Sequence, residues 1–499
     1  MSSARPPLVS TTVPVPHRVQ HRDYAFLGLT QSLCPECREV VPAKIITRGQ
    51  RVYFRKTCPT HGMREDYICS DVSRYDLVET SLPAKLPAKT FVEPQRGCPY
   101  DCGLCSEHEQ HTCIGVVEIT DGCNLTCPMC YAASAPGKHH KSLEQIQAAI
   151  DRLVEAEGHA EVAQLSGGEP TLHPQLLDAV AYALDQPIDY VMINTNGIRL
   201  ANDHELVSAL AQYRERLEIY FQFDSLHDFE VAQLRGQTGL VEIKLRALKN
   251  LADAGLNVTL VATLQGGVND TAPADLVQFA KSHPHVTGLS FQPATYSGRH
   301  VLPSHLEQRI TFPDVIDGIA ADPRNGYQTD DFFPLPCAHP NCHWISLAMR
   351  QGEELLPLTQ FIDARANLDL LANGISFTRE KTQYLAQQLA ARLACGDGGC
   401  CRPASKSASE LPVLGTVCNQ GTEASQIEQF LQDAVASAVG ARDMLRITIT
   451  SFLDVYNFDV RRVMKCCTHH VLPSGHIVPF CAYNVLYRDG TAKLPALTS

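Results

Sequence analysis

Runs of apolar and β-branched residues recur through the middle of the chain, and between them lie stretches whose apolar positions return with helical spacing. Ile114 to Thr120 is the first such run and reads as a strand. Ser142 then opens a helix. Gln145 completes a capping box, and Leu143, Ile146, Ile150 and Leu153 share one face. The run Val162 to Ser166 predicts the next strand, which delivers Gly167-Gly168-Glu169-Pro170 at its C-terminal end. Tyr190 to Asn194, Leu217 to Phe223, Val258 to Leu264 and Val286 to Phe291 follow, each separated by a helical stretch. Strand and helix units alternating in this way predict a parallel sheet with a barrel-type site at the C-terminal ends of its strands.

The loop after the first strand reads Cys123-Asn-Leu-Thr-Cys127-Pro-Met-Cys130-Tyr131. Three thiols lie on one short loop, and a fourth ligand is not supplied. A structural zinc knuckle recruits a nearby Cys or His to close its tetrahedron, but the next candidates, His139 and His140, lie beyond Gly137-Lys138. In an iron-sulfur cube the iron without a protein ligand is free to bind a small molecule. At the end of the second strand, Gly167 and Gly168 permit close backbone approach to a ligand, Glu169 offers a carboxylate to an ammonium group, and Pro170 stiffens the turn. Asn194, Asn196, Asp224 and Thr263 stand at the ends of later strands and are candidates for facing cofactor or substrate. Each also has a structural reading. Asn196-Gly197 is a turn signal, Asn194 and Asp224 suit helix caps, and Thr263 suits a strand.

A second C-x3-C-x2-C, Cys98-Pro-Tyr-Asp-Cys102-Gly-Leu-Cys105, lies upstream. It is followed by Ser106, and no strand carrying a Gly-Gly-Glu-Pro turn comes directly after it, so it is assigned to an auxiliary cluster, with zinc as the alternative. Its fourth ligand could be Cys113, His108 or a residue of the distant C-terminal part. Nearer the N-terminus, Cys34-Pro-Glu-Cys37 and Cys58-Pro-Thr-His61 form two knuckles around a hairpin-like stretch, the pattern of a mononuclear ribbon site for zinc or iron. Cys69 competes with His61 for its fourth position. Far downstream, Cys337, Cys342, Cys466 and Cys481 are the favoured set for a further auxiliary cluster, while doubled Cys466-Cys467 leaves one ligand open.

In order, these features resemble radical S-adenosylmethionine (SAM) enzymes, and more closely the family that includes the archaeal dihydropterin methyltransferase-like enzymes and the tetraether lipid synthases. The matching elements extend over about residues 30 to 485 and include Gly97 to Cys105, Asn194-Thr-Asn-Gly197, Phe221-Gln-Phe-Asp224, Gly267-Val-Asn-Asp270, Phe291-Gln-Pro293, Pro334 to Pro340 and Phe480-Cys-Ala-Tyr-Asn484. The resemblance implies an α/β protein with a partial (β/α)6 TIM-type radical SAM barrel. It implies a [4Fe-4S] cluster on Cys123, Cys127 and Cys130 that binds SAM at its open iron, with the Gly-Gly-Glu-Pro motif at the SAM amino group. Reductive cleavage to a 5'-deoxyadenosyl radical, using an electron donor such as flavodoxin or ferredoxin, would then modify an unactivated carbon of a small metabolite or lipid by methylation or carbon-carbon bond formation. One or two auxiliary [4Fe-4S] clusters and a mononuclear Zn or Fe accompany it. The family pattern does not include the cysteine-bearing insertion with Cys395, Cys400, Cys401 and Cys418. No catalytic side chain is assigned; His339, His343, His469, His470 and His476 are available for later proton transfers.

The expected organisation is a disordered segment at 1–22, a ribbon at 23–90, an auxiliary cluster segment at 91–113, the barrel at 114–300, and a C-terminal auxiliary cluster and substrate region at 301–499. Helices are expected at Glu380 to Leu393 and Ala424 to Val439. Twenty cysteines in 499 residues, with neither an export signal nor a run apolar enough to span a membrane, point to metal ligation in a reducing cytoplasm. The net charge of −12 argues against an extended nucleic-acid surface. It therefore weighs against the other reading of the N-terminal third, a non-catalytic metal-ribbon scaffold for a protein or nucleic-acid partner.

Overall fold

The computed structural model describes residues 22–137, 139–371, 375, 379–395, 432 and 439–498. The helix expected at Ala424 to Val439 lies outside these residues apart from Gln432, which is helical, and Val439, which is not; the cysteines 400, 401 and 418 and residues 1–21 also lie outside them.

Four antiparallel strands form the N-terminal sheet in chain order: β1 (Ala25–Leu33), β2 (Val40–Arg48), β3 (Arg51–Cys58) and β4 (Gly62–Cys69). One polar anchor fixes this sheet to the rest of the molecule. Lys56 is almost fully buried, ion-paired to Asp66 at 2.9 Å, and its Nζ donates to the carbonyls of Leu33, Val455 and Tyr456. A buried ammonium is tolerated only when its donors are taken up in this way.

The repeat predicted from the middle of the chain forms as an ordered succession. It comprises β5 (Ile114–Thr120), α1 (Leu143–Glu157), β6 (Ala160–Gly167), α2 (Leu176–Asp185), β7 (Ile188–Thr195), α3 (His204–Leu210) and β8 (Leu217–Gln222). The tandem helices α4 (Asp228–Arg235) and α5 (Leu240–Asp253) follow, then β9 (Asn257–Leu264), α6 (Ala272–Lys281) and β10 (Val286–Pro293). Strands β5 to β10 pair in parallel with sequential neighbours. At the head of α1 the Ser142–Gln145 capping box is present, and Ile146, Ile150 and Leu153 are fully buried. Each such side chain contributes about 1.5–3 kcal/mol of burial, which holds the helix on the sheet.

The sheet does not close. The later part of the chain instead extends it at both edges, an arrangement the sequence pattern did not disclose. After α7 (Phe312–Ala320), β11 (Phe333–Pro334), β12 (His343–Gln351), β13 (Glu354–Pro357) and α8 (Arg379–Cys395), strand β14 (Met444–Thr450) pairs in parallel with β10, and β12 pairs antiparallel with β14. Beyond α9 (Val460–Met464), β15 (Thr468–Val471) pairs in parallel with β5, and β16 (Ile477–Pro479) completes a hairpin with it. The outcome is one open, mixed sheet of 12 strands. No described helix is long and apolar enough to cross a membrane.

Candidate functional site

The first cysteine loop leaves the C-terminal end of β5 and lies against the ends of β6 and β7. Cys123, Cys127 and Cys130 are half-buried. Burial, with Glu169 and the other two thiols as electrostatic neighbours, pushes Cys123 up to about 12. A thiol in this position ionises readily only if a cation or metal takes the charge. The Leu125 amide already donates to the Cys123 sulfur at 3.4 Å. Three thiols on one loop within electrostatic reach of one another, a backbone donor aimed at one of them and no fourth cysteine on the loop are a donor set that fits a cluster with one open iron, although their sulfurs are not drawn together within 4.8 Å as those of the ribbon are.

The glycines have a physical role other than ligand approach. A Cβ on Gly168 would lie 2.1 Å from the Gly122 carbonyl oxygen, so the end of β6 can touch the cysteine loop only because that atom is missing. Glu169 is fully buried, and its carboxylate accepts from the Thr171 amide at 3.0 Å, the Thr171 and Thr195 hydroxyls at 2.6 Å each, and the Asn196 amide at 2.7 Å. It joins the ends of β6 and β7. Pro170 begins the short turn that Glu169 caps. Asn196 Nδ2 donates to Asn124 Oδ1 at 2.7 Å and lies 4.0 Å from the Cys123 sulfur, so this side chain reaches the loop, and its Oδ1 accepts from the Ile198 amide in a local turn. Asn194 contacts Ser166 across the strands at 3.3 Å and caps no helix.

Asp224 is buried and committed to protein partners. Arg235 grips both carboxylate oxygens, and the Thr263 amide and Gln222 side chain add further bonds. Burial would raise its pKa, but Arg235 outweighs this and holds the carboxyl below its usual range. Thr263 Oγ1 accepts from Arg235 at 3.0 Å. These two residues therefore orient an arginine on the cysteine loop's side of the sheet.

Several residues here had no sequence signal. Arg299 follows β10, and its Nε donates to the Cys127 carbonyl at 3.0 Å while Nη2 donates to that of Ser134 at 2.6 Å. Arg488, near the C-terminus, forms a two-pronged pair with Glu118 on β5 and stacks over Tyr131. Burial opposes ionisation of Glu118, yet Arg488 and His470 draw it down to about 2.

The other cysteines fall into groups. In the ribbon, the ligand atoms of Cys34, Cys37, Cys58 and His61 all lie within 4.8 Å of one another. The Cys37 and Cys58 sulfurs are 3.8 Å apart, matching the edge of about 3.8 Å of a tetrahedron with metal-sulfur bonds of about 2.3 Å. Hydrogen bonding by the His61 backbone, chief among several causes, draws Cys58 down to about 6. Cys69 sits at the opposite end of the β3–β4 ladder, opposite Val52, and donates to the Asp71 carbonyl instead. Cys102 is buried beside Cys98, with Cys105 and Cys466 within electrostatic reach. Of the partners weighed for that triplet, His108 lies on the Cys466 carbonyl and against His469.

Cys113 instead joins Cys337 and Cys467, three buried sulfurs within 4.8 Å of one another. Hydrogen bonds from Cys113 and Cys467 draw Cys337 down to about 5. The set expected from sequence is thus divided. Cys337 belongs to this group, whereas Cys342, Cys466 and Cys481 line a small cavity with Arg462, whose Nε donates to the Cys342 sulfur at 3.1 Å. The Leu453 amide donates to the Cys481 sulfur at 3.2 Å. Among the histidines, His343 faces Thr450, and His476 bonds Ser474 and the Pro495 carbonyl. His339 accepts from the Asn341 amide and lies near Asp76, while His470 bonds Asn484.

A cavity of about 1150 Å³ opens at the N-terminal ends of the strands, lined among others by Ile188, Leu217 and Asn257. The cysteine loop stands at the other ends.

Sequential parallel strands with a three-cysteine loop at the C-terminal end of the first define a radical SAM enzyme. The model of the radical SAM superfamily matches residues 117–280, and that of the HMPTM N-terminal zinc ribbon domain matches residues 26–70. Over 495 residues the chain is 30% identical to the 7,8-dihydro-6-hydroxymethylpterin dimethyltransferase of Methanocaldococcus jannaschii, covering 92% of this chain and 94% of that protein. The chain belongs to the radical SAM family that contains this enzyme. The Fe-coproporphyrin III synthase of Methanosarcina barkeri is 30% identical over 190 residues, 37% of this chain and 45% of that one. The Streptococcus suis SuiB crystal structure aligns over 39% of this chain and 43% of that one, with a TM-score of 0.33 and 16% identity. Membership in the family brings a [4Fe-4S] cluster and SAM as cofactors.

Proposed function

We propose that this enzyme methylates a carbon of a pterin-like heterocycle, with Cys123, Cys127 and Cys130 as the protein ligands of the SAM cluster. The observation that carries the reading is the convergence of the β5, β6 and β7 ends on one loop through Glu169 and Asn196. The near full-length likeness to a pterin dimethyltransferase supports the substrate class over a lipid. When bound, the cluster supplies the electron that cleaves SAM to methionine and a 5'-deoxyadenosyl radical, which removes a hydrogen atom from the substrate. Asn196 positions the loop, Glu169 rigidifies the turns that face SAM, and Arg299 ties the loop to β10. Cys34, Cys37, Cys58 and His61 hold a mononuclear metal. Cys98, Cys102 and Cys105 with Cys466, and Cys113, Cys337 and Cys467, are the supported auxiliary sets, and Cys342 and Cys481 neighbour both. A cytoplasmic setting and a flavodoxin- or ferredoxin-type donor suit this chemistry.

The test is 5'-deoxyadenosine formation by anaerobically reconstituted protein with SAM and dithionite, followed by deuterium transfer from a labelled dihydropterin. Formation in wild type and its loss in Cys127→Ala are expected. No formation by wild type fully loaded with iron and sulfide would overturn the reading, and deuterium transfer from a lipid but not from a pterin would overturn the substrate class.

A further inference from the structure

Helix α4 ends against the first cysteine loop. A Cβ on Gly236 would meet the Pro128 ring at 3.2 Å, and Val231 of the same helix packs in one apolar cluster with Leu125, Cys123 and Cys127. Arg235, the last residue of α4, is almost fully buried. Its Nε donates to Asp224 Oδ2 at 2.7 Å, and its Nη2 donates to Asp224 Oδ1 at 2.5 Å and to Thr263 Oγ1 at 3.0 Å. A guanidinium has five N–H donors, so this leaves the two of Nη1. The end of α4 thus sits against the loop that carries Cys127, and the guanidinium lies within electrostatic reach of that residue. Lys244 of α5, buried and donating to the Gln222 carbonyl, adds a second cation close enough for Cys127 to feel.

From this geometry we infer that Arg235 is a positioning residue that sets the reduction potential of the cluster held by Cys127, with Asp224 and Thr263 fixing its guanidinium beside the loop that carries this cysteine. The inference rests on the assignment of Cys123, Cys127 and Cys130 to the SAM cluster. Uptake of one electron from the external donor takes [4Fe-4S]2+ to [4Fe-4S]+ without a proton, so it adds one negative charge to the site. A fixed cation buried close to a ligand sulfur stabilises the reduced state and raises the potential. Burial makes this strong, because solvent does not screen it.

The experiment is a redox titration followed by electron paramagnetic resonance in wild type, Arg235→Gln and Arg235→Lys, with and without SAM. The signal that changes on SAM addition identifies the relevant cluster among the several present. At the wild-type midpoint, Arg235→Gln is expected to lower the ratio of reduced to oxidised cluster about tenfold, a shift of about 59 mV for a one-electron couple. Arg235→Lys keeps the charge but cannot grip Asp224 with two prongs, so the charge is held less firmly beside the loop and a shift of the same sign and smaller size is expected. It serves as the test if the glutamine variant fails to load iron. An unmoved potential in a loaded variant overturns the role of Arg235. Absence of a SAM-responsive signal in wild type overturns the cluster assignment instead.

Discussion

Cys130 and Arg299 exchange backbone hydrogen bonds in both directions, at 2.9 and 3.0 Å. Cys130 belongs to the loop after the first barrel strand and Arg299 to the segment after the sixth, so this pair spans the open mouth of the sheet where strand pairing does not. The preceding Gly298 makes the contact possible. Its φ is +62°, and a Cβ there would lie 2.2 Å from the Tyr131 carbonyl oxygen. Gly298→Ala is therefore expected to push the loop away and lower 5'-deoxyadenosine formation at least tenfold, while far-UV circular dichroism is unchanged. Wild-type turnover in that variant would show that the bridge does not hold the site.

Replacing Gly168 with Ala tests the other side of the loop. The clash would be with the Gly122 backbone, which no rotamer change can relieve. Iron content of the reconstituted protein is expected to fall by the share of one cluster. Full iron loading would mean that the end of β6 can move away without loss.

Asn196→Ala removes the side-chain bond to Asn124 but leaves the backbone bond to Glu169 intact. A several-fold rise in the SAM concentration needed for half-maximal cleavage is expected, with iron content unchanged. A normal concentration dependence would assign Asn196 to the turn alone.

His61→Ala should remove one metal equivalent, measured by elemental analysis, because the histidine supplies the one nitrogen within a group of sulfurs. The same measurement identifies the metal. Cys69→Ala, remote from the group, should leave the equivalent in place and act only through packing.

The Glu118–Arg488 pair predicts acid sensitivity. A carboxyl held at about 2 in the folded chain, against 4.5 as its ordinary value, contributes about 3 kcal/mol that is fully present above the unfolded value. It is lost as pH falls from about 4.5 through about 2. Glu118→Gln should flatten that part of the stability profile, read as the denaturation midpoint at pH 3 against pH 6. Equal slopes in the two proteins would show that the pair contributes little.

What could be read from the chain alone follows from how local each signal is. Ile114 to Thr120 coincides with β5, and the Ser142 capping box with the start of α1, because period and caps act within a few residues. The cysteine loop was legible for the same reason. Asp224 and Thr263 were placed near the site but with a different task, since their partner, Arg235, is brought to them by a helix packing event. Arg299 and Arg488 carry no local signature at all. The grouping of Cys113 with Cys337 and Cys467 depends on where three distant segments cross, which spacing cannot encode.

The pairing of β15 with β5 joins segments roughly 350 residues apart in the chain. A ribosome makes β5 and its cysteine loop long before the strand that covers the outer edge of β5 and the Arg488 that grips Glu118. Until then that edge has unpaired amides and carbonyls, and two of the supported auxiliary sets lack Cys466 and Cys467. Any cluster that these sets hold can therefore be completed only late in the protein's birth. Truncations that spare every residue of the barrel would still yield a chain that scavenges iron poorly and aggregates through β5.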